Sequence, residues 1–253
     1  MRCPNPRKTR SRILALLLVT LCGAISVQAQ SVVTFSGRVT NQSTGQAIAG
    51  VAIVAQGNQT GTRVVITDAQ GNYTLPFGAN TNINLRAYKT TFIFNPVLVS
   101  YSSLGGFPIP GNITRDFGGS SFPILVFALP PILLTEDESL NTLVVDGVLH
   151  TRDPFPLINN NYFGADKRTR IKLFLVDLDL YSGETLAIIA VQASDAQQRI
   201  FTLPVEDLRK VPGFPWLTQL TVLLPSDLTG PNDLTVSVTA RGQTSNSARL
   251  RLK

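Results

Sequence analysis

Beyond residue 31 the chain alternates between short apolar runs and turn residues, and almost nowhere does it repeat at helical spacing. Val33, Phe35 and Val39 open a first strand that ends in Asn41-Gln42-Ser43-Thr44-Gly45. Gly50 to Val54 and Arg63 to Thr67 follow, separated by Gly57-Asn58. Asp68-Ala69-Gln70-Gly71-Asn72 turns the chain into Tyr73-Thr74-Leu75, and Ile83 to Tyr88 alternates apolar with polar positions, the period of a half-buried strand. Residues 90 to 121 are looser and rich in Gly, Pro, Ser and Asn, and Phe122 to Leu129 reads as a compact closing strand. In the second half, Leu143 to Val145, Ile171 to Leu175, Leu186 to Val191, Arg199 to Leu203, Leu217 to Leu224, Leu234 to Ala240 and Ala248 to Leu252 read as strands. The stretch from Asp207 to Trp216 reads as a long connection, with a modest helical candidate over 206 to 211 and another turn near 226. Short strands at this spacing predict sandwiches.

Pro130-Pro131 interrupts the pattern, and Thr135-Glu136-Asp137-Glu138-Ser139 follows as an acidic run that reads as a solvated linker. Glu136 is the first glutamate of the chain, and this shift in composition marks a boundary. The expected architecture is therefore all-β, with two consecutive β-sandwich modules: 31–129, a linker over 130–141, and 142–253.

The first 29 residues read differently. Arg2, Arg7, Lys8, Arg10 and Arg12 precede an apolar run from Ile13 that continues to Leu21, and small residues lead to Ala29. This order is that of a secretory signal peptide, residues 1–29, cleaved after Ala29. The run is too short for a transmembrane span. Leu21 stands where a lipid-attachment motif needs a small residue, which argues against modification at Cys22. The expected localisation is secreted or cell-envelope, with no stable membrane span once the signal is removed.

Charge and cysteine then narrow the function. Removing the five cations of the signal from the 22 basic residues leaves 17 against 16 acidic ones, so the net +6 gives no electrostatic case for nucleic acid. Cys3 and Cys22 both fall inside the signal, leaving a mature chain without disulfides or thiolate chemistry.

The first module resembles the carboxypeptidase regulatory-like family, a small transthyretin-like sandwich classed with carbohydrate-binding-like folds. The residues that carry this are Ser36-Gly37-Arg38-Val39-Thr40, Thr44-Gly45, Ile48 to Ile53, and Thr67 to Leu75. In that last motif Gly71 is expected at positive φ, and Asp68 is expected to accept amide bonds across the turn. The second module resembles an immunoglobulin-like C-terminal module of exported acidobacterial-type proteins, through Arg152-Asp153-Pro154-Phe155-Pro156, Trp216 to Gln219 and Arg241 to Asn246. Modules of the first kind serve as spacers, stalks and plugs as often as ligand binders, so the resemblance implies fold more than function. Related surface modules form Lys–Asn cross-links. With Lys89 as the first module's one lysine and Asp68 and Asp116 as its only acids, no such bond is expected here.

Candidate chemistry is sparse. His150 is the single histidine, no G-x-S-x-G elbow is present, and multi-histidine zinc sites are excluded by count. Two carboxylate pairs, Asp177 with Asp179 and Glu206 with Asp207, read as surface groups, and a Ca²⁺ site at the first pair has no loop motif behind it. Phosphate-binding loops are absent from the sequence. The basic stretch Lys167 to Lys172 reads as the solvent rows of an edge strand, and Phe92, Phe94, Tyr101, Phe107 and Phe117 as core positions. No catalytic, cofactor-binding or metal-binding residue is assigned and no cofactor is expected. The expected role is a non-catalytic structural or adhesion protein, not an enzyme; the alternative is a carbohydrate-binding module. The partner classes left open are a polysaccharide and another envelope protein.

Overall fold

The computed structural model describes residues 32–253 apart from 79, 104–108, 110, 123–128, 226–227 and 229–232. The expected signal and most of the expected strand Phe122 to Leu129 lie outside the described residues.

Among the described residues four sheets are formed. In the first, β1 (Val33–Asn41) is flanked by β4 (Asn72–Phe77) on one side and by β8 (Asn112–Thr114) and β9 (Phe117–Ser121) on the other, with β6 (Phe92–Asn95) beyond β9. The second runs β3 (Gly61–Ile66), β2 (Ala52–Gly57), β5 (Asn82–Tyr88), β7 (Val99–Ser102). The third runs β10 (Ile132–Leu133), β12 (Arg170–Val176), β16 (Phe214–Leu223), β15 (Val205–Val211), with β11 (Val144–Asp146) also on β12. The fourth runs β14 (Ile200–Leu203), β13 (Ile189–Ser194), β17 (Leu234–Ala240), β18 (Gln243–Thr244), with β19 (Ala248–Leu250) also on β17.

Alternation sets the faces. Phe35, Leu75, Phe77, Ile53, Leu85 and Phe117 are buried between the first two sheets. Leu173, Leu175, Leu220, Val222, Val191 and Val236 are buried between the last two. A third apolar layer joins the pairs: Ala52, Val54 and Tyr88 meet Ile132, Leu134 and Val176, with Val64, Trp216 and Leu217 packed against them. The second sheet is thus covered on both faces, which is why β2 is buried at nearly every position.

This layer changes the reading of 130–141. Ile132–Leu133 pairs with Val176 and Leu175, and Leu133 is fully buried. Asn246 completes the outer side of that short strand, its Oδ1 accepting from Leu133 N at 2.9 Å and its Nδ2 donating to Leu133 O at 2.8 Å. Thr62 and Thr135 exchange bonds, each backbone amide donating to the other's hydroxyl at 2.8 Å. Of the acidic run, Thr135 is buried and only the acids that follow face water.

The helical candidate over 206–211 is strand β15. It forms a hairpin with β16, closed by Val211↔Phe214 and turned at Gly213, whose φ is +81°. The expected long connection is therefore two paired strands. Strand β12 is not an edge, since β11 and β16 both pair with it, so Arg170 and Lys172 are outward positions of an interior strand. Gly71 stands at φ +77°, and the Asp68 carboxylate accepts from Gln70 N at 2.9 Å and Asn72 N at 2.8 Å, as the motif implied.

Candidate functional site

Charged side chains gather where the second and third sheets meet. Arg86 sits on β5 on the face turned to the second sandwich, opposite Leu85 and Ala87, and is buried because that face is covered too. Its Nη1 donates to Pro130 O at 2.9 Å and its Nη2 to Asp177 Oδ2 at 2.9 Å. Asp177 follows β12 at φ +61°, a strained setting for a residue with a side chain. Two residues on, Asp179 accepts from Tyr88 Oη at 2.5 Å and from Lys210 Nζ at 2.5 Å. Lys210 also reaches Thr218 Oγ1 at 3.1 Å. Arg241 donates through Nε to Glu184 Oε1 at 2.7 Å and lies 3.6 Å over the Tyr181 ring.

The sequence placed Asp177 and Asp179 on the solvent surface. The structure places them at the junction, 19% exposed each, because the loop after β12 folds against the outer face of β5. Burial pushes the Asp177 carboxyl up to about 6 against the lowering pull of Arg86. Burial and the Asp179 carboxylate hold the Tyr88 hydroxyl well above its ordinary range. Glu206 and Asp207 do form surface contacts, with Arg170 at 2.8 Å and Arg209 at 2.7 Å. Sequence reasoning missed Arg86, Tyr88 and Lys210; the one signal was the arginine inside a strand otherwise free of charge.

Two cavities flank this cluster. The larger, about 610 Å³, is lined among others by Thr90, Thr91, Asp179, Tyr181, Ser182 and Lys210. The smaller, about 220 Å³, is lined by Tyr88, Phe92, Phe94, Asp177 and Tyr181 among others. Thr91, at φ +67°, is a second strained residue on the rim.

The remaining candidates are placed as follows. His150 is exposed in a turn, its Nε2 3.0 Å from Lys172 Nζ. Lys89 donates to Ala49 O at 2.7 Å and lies over the Phe92 ring. Phe94 and Phe117 are buried, Phe92 and Tyr101 pack on the first core, and Phe107 lies outside the described residues. Asp153 and Phe155 of the Arg152–Pro156 motif serve the fold: Asp153 holds Arg251 in a two-pronged pair at 2.7 and 2.8 Å, and Phe155 is buried. Among the described residues no group of three or more potential ligands could hold a metal ion. No helix among them is long and apolar enough to cross a membrane.

No protein-family model matches the chain, and no curated protein sequence matches it. Solved structures give distant likenesses. BcpA, the major pilin subunit of Bacillus cereus, aligns over 88% of this chain and 70% of its own at 9% identity, with a TM-score of 0.29. The shaft pilin SpaA from Lactobacillus rhamnosus GG aligns over 88% and 93% at 8% identity and TM-score 0.26. The Bacillus anthracis TIE protein aligns over 88% and 32% at 6% identity and TM-score 0.30. At these levels no residue role and no activity transfers. The chain is an all-β protein of stacked sandwiches, on the strength of its own strand pairings.

Proposed function

We propose that this chain is an exported, non-catalytic structural or adhesion protein of the cell envelope or extracellular space, in which a regulatory-like sandwich and an immunoglobulin-like sandwich act as one rigid body. One observation carries the reading. The charged groups at the junction are committed to partners: Arg86 to Asp177 and Tyr88 to Asp179 across the two sandwiches, and Lys210 to Asp179 and Arg241 to Glu184 within the second. A group spent on fastening two sheets is not poised to transfer a proton or attack a substrate. The signal-like order of residues 1–29 supplies the export half of the reading.

Fractionation of cells expressing the full chain, with N-terminal sequencing, tests it. The expected product lies outside the cytoplasm and begins at Gln30, and surface attachment or cell cohesion falls when the protein is removed. A cytoplasmic product with Met1 intact, or a turnover activity lost in Asp179→Asn, refutes it.

A second reading rests on the larger cavity, whose lining includes Thr90, Thr91, Tyr181 and Ser182, the hydroxyl-bearing and aromatic residue types that saccharide sites use. Under it a glycan array returns one polysaccharide class, and Tyr181→Ala abolishes that signal.

A further inference from the structure

The end of the second sandwich remote from the junction is built around one carboxylate. Asp146, 1% exposed, accepts from Val148 N at 2.8 Å and Leu149 N at 2.6 Å through Oδ1. Through Oδ2 it accepts from Tyr162 Oη at 2.8 Å and Asn159 Nδ2 at 3.4 Å. The turn after β11 and the loop before β12 are thereby tied to the same point. Ile158 and Arg168 form a bridge across the base of that loop.

What these tied loops turn outward is apolar. Phe163 is fully exposed, and Ile158, Val148 and Leu149 are 49%, 47% and 42% exposed, while their neighbours Tyr162, Asn159 and Asp146 are buried. Single exposed apolar residues are ordinary on a protein surface. Here four of them stand on two loops tied to one buried carboxylate, an accumulation that water does not favour.

The rim is basic. Residues 158–172 hold Lys167, Arg168, Arg170 and Lys172 against a single acid, Asp166. With the buried Asp146 and the facing Glu206 included, this end carries four cations against three acids, and the rest of the chain after Ala29 holds 13 of each, so the net positive charge lies at this end. The acidic groups that face the rim, Asp166 and Glu206, pair with Arg168 and Arg170; Lys167 Nζ donates to Tyr162 O, and Lys172 Nζ lies 3.0 Å from His150 Nε2.

We propose that this tip docks on an anionic lipid bilayer, with Phe163 and its apolar neighbours entering the headgroup layer and the basic rim meeting lipid phosphates. Aromatic side chains favour that depth. Cations above an anionic surface add attraction that salt screens. Charge complementarity favours such a surface over an apolar protein groove, which would leave the rim unused.

The test is co-sedimentation of the exported, processed protein with vesicles of phosphatidylglycerol in phosphatidylcholine, and with phosphatidylcholine alone. Binding is expected only to the anionic vesicles and is expected to fall with salt. Phe163→Ser should weaken it about tenfold to a hundredfold, the partition free energy of one phenyl side chain, without moving the thermal midpoint. Lys172→Gln should weaken it less, and Ile200→Ser, on a 68% exposed residue of β14, should leave it unchanged. No binding to anionic vesicles overturns the proposal, as does binding that Phe163→Ser leaves intact. Concentration-dependent self-association abolished by Phe163→Ser, with no vesicle binding, assigns the patch to a second copy of the chain and equally overturns it.

Discussion

Replacing Arg86 by methionine tests the junction through its pH dependence. Asp177 titrates near 3.8 when unfolded and about 6 when folded, so the folded protein holds its proton more tightly. Its contribution to stability is fully present below pH 3.8 and is lost as pH rises through about 6. At pH 7 that loss is on the order of 3 kcal/mol, the free-energy equivalent of moving the carboxyl from 3.8 to about 6. Without Arg86 the carboxyl titrates higher still. The loss cannot exceed that of a permanently neutral Asp177, on the order of 4 kcal/mol at pH 7. The pH-dependent cost of the substitution is therefore at most on the order of 1 kcal/mol at pH 7 and falls to nearly zero at pH 5, where the folded wild type already carries the proton. A pH-independent cost of about 1 kcal/mol remains for the unpaired Pro130 carbonyl. Trp216, the one tryptophan, packs in the layer between the sandwiches and reports directly on it. Urea midpoints followed by its fluorescence at pH 5, 6 and 7 should show a destabilisation that grows with pH. A penalty equal at pH 5 and pH 7 would falsify the raised Asp177 pKa, and with it the reading of that carboxyl as buried against Arg86.

Other expectations follow from single positions. Gly71→Val should lower the thermal midpoint by at least the equivalent of about 1–3 kcal/mol, since φ is +77° and a Cβ would stand 2.4 Å from Val39 O; an unchanged midpoint would mean the turn adapts. Gly61→Ala should open the junction, because its Cβ would meet Ser139 O at 2.1 Å and Thr135 Oγ1 at 2.2 Å; an unaltered Trp216 emission would contradict this. Limited proteolysis should spare 132–135, which is buried and paired, and an early cut there would show that β10 opens readily. Asp146→Ala should expose the loops at 147–163 to protease while leaving Trp216 emission native, and a shift in that emission would mean that the tip and the junction are coupled.

The strands were legible where alternation was strict, as from Ile83 to Leu85, and where a turn signature was strong, as from Asp68 to Asn72. Strand β15 was not legible, because it is a charged, half-exposed edge strand whose apolar residues Val205, Leu208 and Val211 stand three apart, a bulge after Val205 breaking the two-residue period. The contact between the sandwiches had one trace, the unbroken apolar run Val51 to Ala55, which announces burial on both faces. The acidic run concealed the rest: Leu133 and Leu134, immediately before it, and Thr135, at its head, do the packing, while the acids point outward. The charged cluster was illegible because its members, Arg86 and Lys210, lie more than 120 residues apart and meet only when the sheets stack.

Strand β1 has a mechanical consequence. It lies inside its sheet, antiparallel to β4 on one side and parallel to β8 and β9 on the other. Tension applied at Val33 along the strand loads those cross-strand bonds together, in shear, because they run across the pull. A terminal hairpin pulled open would instead surrender them one at a time. Resistance to tension is governed by the barrier to unfolding rather than by equilibrium stability. Resistance of this strand to a pull along its axis is therefore a property separate from the protein's resistance to heat.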